Sequence, residues 1–443
     1  MGIDSKHPSF TEWEPRWKQC RDCCKGEYAV KDAGEAYLPK LGGQSDDEYK
    51  AYRNRAMFAN ATGKTVDGLV GAIMRINPIV EGISDDMAED VTGSGVALND
   101  FVSRALSEQI LIGRQGILVD FDDVLGRPVL IGYNSEQITN WGDGWIVLCE
   151  SYQAIDPDDP YIQKSEKQYR ELVLIEGVYW VRIWRKQDGG EWGVFSEVMP
   201  TSKGQSLDYI PFIPVSMDGI NLSPEVPPML DLTSVNLSQY RTSADLEHGR
   251  HFTGLPTPYA TGINADSEIN LGSEGFLAFP DPNTKVGFLE FSGAGLASLE
   301  RAMEEKRQIM ASLGAQLMQG NKAAAEAAET VKLKQNAEFS IVVRSAKLVE
   351  SAINSALRKS AEWVGGPDMF ITINLDFADT QLNPQQLTAL MALWQSGGIS
   401  HDTLLYNLKR GEILESDIDA DTEKQRIDTD APQSMGLIGD ANG

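Results

Sequence analysis

The chain has 443 residues, 42% of them hydrophobic, with 65 Asp and Glu against 39 Lys and Arg, for a net charge of −26. This length and apolar content are enough to bury a large core. The acidic balance argues against a protein that coats DNA, because neutralising phosphates needs concentrated Lys and Arg. It is compatible with simple solubility, and also with a surface past which DNA slides. No run of about 18 apolar residues is present, so no membrane span is predicted, and the N-terminal residues lack the apolar core of a signal peptide.

Helices are predicted for most of the chain before residue 112. They are residues 9–36, a helix that begins after Ser45 and breaks near Gly63, the stretch TVDGLVGAIM, and residues 98–111. Ser45 and Glu48 have the spacing of a capping box, in which each side chain bonds the other residue's backbone N–H. Asn99 is the predicted N-cap of the last helix, since Asn side chains accept from the free N–H groups of a first turn.

The pattern changes to strands between residues 113 and 216. The segments rich in β-branched and aromatic residues are GILVDFD, RPVLIGYN, WIVLCESYQAI, YRELVLIEGVYWVRIWRK and EWGVFSEVM. Gly, Asp and Pro separate them, which predicts a mainly antiparallel sheet region. A helix follows that begins at Val226-Pro227-Pro228, because Pro fits the first turn of a helix. Residues 253–292 are rich in Gly and Pro and are predicted to be extended.

Two long helices dominate the second half of the sequence. They are SGAGLASLERAMEEKRQIMASLGAQLM and EAAETVKLKQNAEFSIVVRSAKLVESAINSALRKSAEWVG, joined by Gln319-Gly320-Asn321-Lys322. The second would have about 38 residues and span about 57 Å, roughly three times the mean helix of a globular domain. Such a helix favours an assembly over a small enzyme core.

One face of the second long helix is apolar at three-to-four-residue spacing, which predicts packing against a core. Its members are Val342, Ala346, Val349, Ile353, Ala356, Ala361 and Val364. The opposite face carries Arg344, Lys347, Arg358, Lys359 and Glu362. These cations can meet DNA phosphates or acidic groups of a neighbouring subunit, and the sequence favours neither.

The C-terminal region is predicted to contain the strand MFITINLDFA and two helices, NPQQLTALMALWQSGG and SHDTLLYNLKRGEI. Residues 415–443 hold eight acidic and two basic residues with little apolar content, so we expect them to be largely disordered. The fold class is therefore α+β.

Motifs for catalysis or cofactor binding are weak. Gly63-Lys64-Thr65 resembles the end of a phosphate-binding loop, but that loop needs a Gly where Phe58 stands and a preceding strand. His248 and His251 share a helix face, yet a solvated or subunit-contacting face is the better interpretation. The cysteines of the CRDCC segment lack a second ligand pair for zinc. We expect no metal, no cofactor and no catalytic residues.

Several separated segments resemble phage portal proteins, in the same order along the chain. They are YLPKLGGQSDDEYKAYRNRA with TVDGLVGAI, YNSEQITNW, IPFIPV, PPMLDLTSVNLSQYRTSADLEHGRHFTGLPTPYATG, and LGAQLM with AAEAAETVKLKQNAEFSIVVRSAKLVESAIN. The resemblance covers roughly residues 35–410 and is weakest at both termini.

The resemblance implies a subunit of a dodecameric ring with the parts of a portal. They are a helical and β wing (1–225), a first stem helix (226–252), a clip (253–292), a second stem helix (293–318), a tunnel loop (319–327), a long helix (328–365) with a returning wing strand (to 382), a short crown (383–414) and an acidic tail (415–443). The short crown departs from the long helical barrel of other portals. The implied channel candidates are Gln319, Gly320, Asn321 and Lys322 in the tunnel loop, and Arg301, Lys306 and Arg307 in the stem.

A portal is not an enzyme. The resemblance implies a ring at one capsid vertex of the virion, assembled in the host cytoplasm, that passes double-stranded DNA. Its implied partners are the large terminase, the major capsid or scaffold protein and a head-tail adaptor, with no membrane. Two alternatives stay open: another structural virion protein, such as an adaptor or minor capsid protein, and a hydrolase with an unrecognised site. Adaptors are usually smaller and mainly helical, and a hydrolase should hold strongly perturbed titrating groups in a pocket.

Overall fold

The computed structural model confirms an α+β fold. It describes residues 2–155, 159, 161, 163–187, 189–254, 257–261, 285–289, 295–319, 341–375, 384–396 and 398–410. The chain divides into two compact units, residues 1–373 and 374–443. No helix within these described ranges is long and apolar enough to cross a bilayer.

The N-terminal region is helical, as predicted. Its helices are α1 (Pro8–Lys25), α2 (Glu27–Asp32), α3 (Asp46–Arg55), α4 (Ala61–Ile73), α5 (Asp85–Glu89) and α6 (Leu98–Leu111), with a short 3₁₀ turn at Gly34–Ala36. The single helix predicted for 9–36 is wrong, because Gly26 adopts a φ of 95° that ends α1 and starts α2. Gly tolerates this conformation since it has no Cβ.

One predicted helix break and one predicted helix start are wrong, whereas one predicted cap is correct. The capping box of Ser45 and Glu48 is confirmed. The break expected near Gly63 lies at residues 56–60 instead, because Asn60 caps α4 by accepting from the Gly63 N–H at 2.8 Å. Asn99 is not an N-cap: α6 begins one residue earlier, behind Ala97, and has no side-chain cap. Burial of Leu98, which is only 2% exposed, fixes the helix start in place of a cap.

The strands of the middle region are antiparallel, as predicted, and most of them form two sheets. The first has the order β11-β2-β3 and the second the order β4-β5-β6-β7-β8. Their bounds are β2 (Arg114–Asp122), β3 (Arg127–Asn134), β4 (Ile138–Gly142), β5 (Trp145–Ile155), β6 (Gln163–Ile175), β7 (Val178–Lys186), β8 (Trp192–Val198) and β11 (Phe212–Ser216). A 3₁₀ turn, Ser135–Gln137, links β3 to β4, and the two-residue strands β9 (Thr201–Ser202) and β10 (Gln205–Ser206) pair with each other.

A small two-stranded sheet joins distant parts of the chain. Strand β1 (Ile79–Glu81) pairs antiparallel with β14 (Phe370–Thr372). The chain leaves β1 at Gly82, whose φ is 73° and whose hypothetical Cβ would lie 2.0 Å from the Asp368 carbonyl oxygen. Only Gly fits this turn, since both the conformation and the space exclude a side chain.

The predicted helices on either side of residues 253–292 are present. They are α7 (Leu230–Gly254) and α8 (Leu296–Gln319). The prolines at 227 and 228 precede α7 and do not lie in its first turn. Between the helices, β12 (Thr257–Thr261) pairs antiparallel with β13 (Lys285–Leu289).

Helix α9 (Ile341–Val364) is the described part of the predicted long helix, and residues 328–340 lie outside the described residues. It packs against α6 and the sheet of β11, β2 and β3, so it crosses the core of the first unit. In the second unit, α10 (Pro384–Gln395) packs against α11 (His401–Arg410), as the sequence predicted for the final helix pair. The acidic tail lies outside the described residues.

Candidate assembly and DNA-channel surfaces

Helices α7 and α8 lie side by side and antiparallel. The end of α7 meets the start of α8, where Arg250 Nη2 donates to Glu300 Oε1 at 2.8 Å. Earlier in α7, the Ser238 carbonyl accepts from Lys306 Nζ at 3.2 Å. Residue numbers therefore rise along one helix as they fall along the other. Strands β12 and β13 follow α7 and precede α8, so this β hairpin belongs to the end of the pair where Arg250 lies.

Close packing holds the two helices together. A Cβ added at Gly249 would approach Leu296 Cδ2 to 2.6 Å, so the absence of a side chain lets α8 come near. Lys306 Nζ also donates to Thr242 Oγ1 at 2.5 Å. Burial lowers the pKa of the Lys306 ammonium, with the Arg241 charge adding to the effect. The structure thus turns Lys306 towards α7.

The other two stem cations predicted from the sequence are exposed. Arg307 forms an ion pair with Glu304 one turn earlier, and Arg301 has no carboxylate partner within the described residues. On α7, close to Arg301, Arg250 bridges Glu247 and Glu300, both at 2.8 Å. Most cations of this surface therefore already have acidic partners, which weakens their attraction for phosphate.

The tunnel-loop candidates are only partly covered by the structure. Gln319 is the last residue of α8, and Gly320, Asn321 and Lys322 lie outside the described residues. The end of α8 comes near α4, since Gly314 lies beside the Thr65 side chain.

The apolar stripe of α9 faces the interior. Val342, Ala346, Val349, Ile353 and Ala356 are all at most 1% exposed. Val364, also assigned to the stripe, is 47% exposed because it is the last residue of the helix.

Two cations on the opposite face of α9 have partners within the chain. Arg344 pairs with Asp218 at 3.0 Å, and the Lys359 ammonium lies 3.8 Å from the centre of the Tyr209 ring. Burial lowers the pKa of Lys359. These two residues are therefore less available to DNA or to a neighbouring subunit than the sequence indicated.

A buried ionic network was missed from the sequence. Arg21 of α1 donates to both carboxylate oxygens of Glu108, at 2.7 and 2.9 Å, and to both of Glu136, at 2.9 and 2.6 Å. Burial raises the pKa of Glu108 more than Arg21 lowers it, and the two carboxylates raise the pKa of Arg21. The residues are far apart in sequence, so no local pattern could have joined them.

A second buried cation lies next to this network. Arg114 is 1% exposed and donates to the carbonyls of Ser135 and Leu222, both at 2.9 Å. Its guanidinium lies between the rings of Trp17 and Trp141, at 5.3 and 4.6 Å from their centres. Burial lowers the pKa of Arg114 to about 9. Cation–π contact replaces part of its lost hydration.

A cavity of about 550 Å³ between α6 and β3 is lined by two groups whose pKa values are raised. Glu108 is one of them, but it is ion-paired with Arg21. Tyr133 is another: burial raises its pKa well above the usual value, and its hydroxyl donates to Glu150 Oε1 at 2.5 Å. Both perturbations therefore have structural causes.

The weak motifs have structural roles. Gly63, of the Gly-Lys-Thr sequence, lies inside α4 with its N–H bonded to Asn60. Cys20 and Cys23 are buried in α1, and burial raises the pKa of the Cys20 thiol to about 12. His248 packs edge-on against Tyr52. Within the described ranges, no group of three or more His, Cys, Asp or Glu side chains is placed to hold a metal ion.

Comparison with known proteins gives one family match. Residues 228–364, from just before α7 to the end of α9, match a family described as a domain of unknown function, DUF4055. No curated protein matches the chain.

The chain is also similar to chains in three solved structures of gene transfer agent (GTA) particles. The neck of an empty GTA particle with C6 symmetry gives a TM-score of 0.40 at 11% identity, covering 83% of this chain and 94% of that chain. The virion of a native GTA particle gives 0.41 at 12%, covering 85% and 98%. The neck of a native GTA particle with C12 symmetry gives 0.39 at 13%, covering 84% and 95%.

Proposed function

We propose that this chain is a structural protein of a tailed-phage virion, and specifically its portal. Twelve copies would form a ring at one capsid vertex, through which double-stranded DNA is packaged and later ejected. The observation that carries the proposal is the antiparallel pair of α7 and α8 with the β12–β13 hairpin at one end. This is the stem and clip arrangement that the sequence resemblance implies.

The ion pairs on α7 and α8 favour a surface along which DNA moves and disfavour one that binds DNA tightly. A protein that neutralises many phosphates releases counterions and binds tightly at moderate salt. Here Arg250 and Arg307 are already paired with carboxylates, and the chain as a whole has a net charge of −26. DNA would therefore meet a surface to which it adheres weakly, as a channel requires.

In this proposal the chain has no catalytic role. The ATP for packaging would be hydrolysed by the large terminase docked on the ring, since the Gly-Lys-Thr segment is helical and its amide is bonded. The remaining proposed partners are the major capsid or scaffold protein during assembly, and the head-tail adaptor after packaging.

Electron microscopy of the purified chain in negative stain, with native mass spectrometry, tests the ring. We expect a ring with a central hole and about twelve copies. A chain that remains a monomer or dimer, both alone and with its scaffold protein, contradicts the proposal.

The channel assignment needs a second experiment. Deleting residues 319–323, at the end of α8, should leave the ring mass unchanged and reduce the packaging or retention of DNA. The control is the substitution Val124→Ser in the turn between β2 and β3, at a residue that is 96% exposed. A 319–323 deletion that packages normally would remove the tunnel-loop assignment while leaving the ring proposal intact.

A further inference from the structure

The five-stranded sheet has one covered edge and one open edge. At β4, the His7 N–H donates to the Thr139 carbonyl at 3.0 Å, and Asn140 donates to the Ser5 carbonyl at 2.9 Å. Residues of the N-terminus therefore cover this edge. At the other edge, β8 pairs with β7 alone among the described strands.

The open edge at β8 is apolar. Its exposed hydrophobic residues are Val194 (43%), Phe195 (64%), Val198 (53%) and Met199 (42%). The register shift places Phe195 in a bulge, opposite no residue of β7. Natural edge strands are usually protected by charges. Here the charge of Glu197 is neutralised by Arg182 on β7, at 2.5 Å, so it does not protect the edge.

Strand β1 offers a second open edge. The far side of its partner β14 is closed, because the Ile371 N–H and carbonyl both bond the Asn354 side chain of α9, at 2.7 and 2.9 Å. In β1 itself, Ile79 is 62% exposed and Val80 is 37% exposed, and β14 is the only described strand that pairs with β1. An isolated two-stranded sheet is only marginally stable, so it gains from a further strand.

The two edges carry opposite charge. Next to β8, Arg185 and Lys186 have no carboxylate partner within the described residues. Arg185 donates to Gln168 of β6 at 2.9 Å and lies 4.0 Å from the centres of both the Tyr152 and the Phe195 rings, so the exposed Lys186 is the cation available to a neighbouring copy. Five exposed side chains around β1 are acidic, and none of these five is ion-paired within the described residues. They are Glu81, Asp85, Asp86, Glu89 and Asp368.

We propose that the β8 edge of one copy docks on the β1 edge of the next copy of this chain. Two different complementary surfaces on one chain make a heterologous contact, which closes into a ring when the rotation between copies allows. The inference rests on the proposed ring and assigns one of its subunit contacts. Apolar contact would supply the buried area, and Lys186 facing Asp85 or Asp86 would set the register.

Zero-length carbodiimide cross-linking of the assembled wild-type ring, followed by peptide mass spectrometry, tests the contact directly. Lys186 should be joined to Glu81, Asp85 or Asp86 between copies. Absence of these links, with links elsewhere between copies, would overturn the inference and leave the ring proposal standing. A wild-type chain that forms no ring would overturn both.

Charge reversal tests the same contact through ring mass. Lys186→Glu should shift the native mass from the ring to the single chain, with an unchanged circular dichroism spectrum. Adding Asp85→Lys and Asp86→Lys should restore the ring, because both surfaces then have reversed charge. Val124→Glu, at a turn residue that is 96% exposed, is the matched control and should assemble normally. The inference would be contradicted if the Lys186→Glu variant still forms rings, or if adding Asp85→Lys and Asp86→Lys fails to restore them.

Discussion

Replacing Arg21 by Met should destabilise the junction of α1 and α6 strongly. The change keeps most of the side-chain volume and removes the cation that faces two carboxylates, one of which, Glu108, is only 7% exposed. Removing one partner of a buried ion pair leaves an uncompensated charge and costs about 3–5 kcal/mol. An exposed pair would cost only about 0–1 kcal/mol.

Amide hydrogen exchange in α6 is the suitable assay, because a chain of this size does not unfold in two states and exchange reports local opening. The expected cost corresponds to a loss of about two to four orders of magnitude in protection, at about 1.4 kcal/mol per factor of ten. The double variant Arg21→Met/Glu108→Gln should recover part of the protection, since it removes the more deeply buried carboxylate and leaves only the less buried Glu136 without its cation. A loss below about tenfold for Arg21→Met would refute the idea that the network is desolvated.

The pH dependence of the Arg21→Met variant follows from Glu108. Burial already raises the folded-state pKa of this carboxyl above its ordinary value of 4.5, and loss of Arg21 raises it further. The folded state then binds more protons than the unfolded state, so stability falls as pH rises from 4.5 through the folded-state pKa. The loss of stability caused by Arg21→Met should therefore disappear below about pH 4.5, where Glu108 is protonated in both the folded and the unfolded state. A loss of stability that does not change with pH would indicate that Arg21→Met acts through lost packing and not through the charge of Glu108.

Three further changes have definite expected results. Ala356→Trp, at a site with no exposed surface, should lower the melting temperature by overpacking, which typically costs about 1–3 kcal/mol; the exposed Arg358→Trp is its control, and equal melting of the two would contradict burial. Burial, with the nearby guanidinium, lowers the pKa of His7 below 6.5, so its protonation opposes folding. Stability of the wild type relative to His7→Gln should therefore fall as pH drops below 6.5, and parallel pH profiles would refute this. Gly82→Ala should expose the β1 amides to exchange, because its Cβ would collide with the Asp368 carbonyl; unchanged protection of β1 would show that the turn can relax.

Local signals in the sequence were sufficient for most of the secondary structure. The capping box at Ser45 works because its two partners are three residues apart, and the strand segments between 113 and 216 are rich in β-branched and aromatic residues and are separated by Gly, Asp and Pro. The same reasoning misplaced the cap of α6. Asn99 is a favourable cap by residue type, but burial of Leu98 and Phe101 decided where the helix begins.

Contacts between distant residues could not be predicted in this way. Arg21 and Glu108 are 87 positions apart, and each looks like an ordinary surface charge in its own helix. The orientation of Lys306 is similar. A Lys can face solvent, DNA or a neighbouring helix with equal ease, because its long apolar stem lets the ammonium reach any of them. The close approach of α7, which Gly249 permits, determines that the Lys306 ammonium contacts the neighbouring helix.

The pairing of cations with acids on α7 and α8 bears directly on what the surface can do. A guanidinium that is free in solution gains a new partner when DNA approaches, whereas Arg250 must first leave Glu247 and Glu300. The ion pair gained with a phosphate is similar in energy to the ion pair lost with a carboxylate. The net attraction of Arg250 for DNA is therefore small and changes little with position along the DNA. Arg301 lacks such a carboxylate partner within the described residues, so it would be the site of strongest phosphate contact on the described face of α8. In the proposed ring of twelve copies, contacts at Arg301 on every copy would add up to tight binding, so weak adhesion requires that only a few copies touch the DNA at one time.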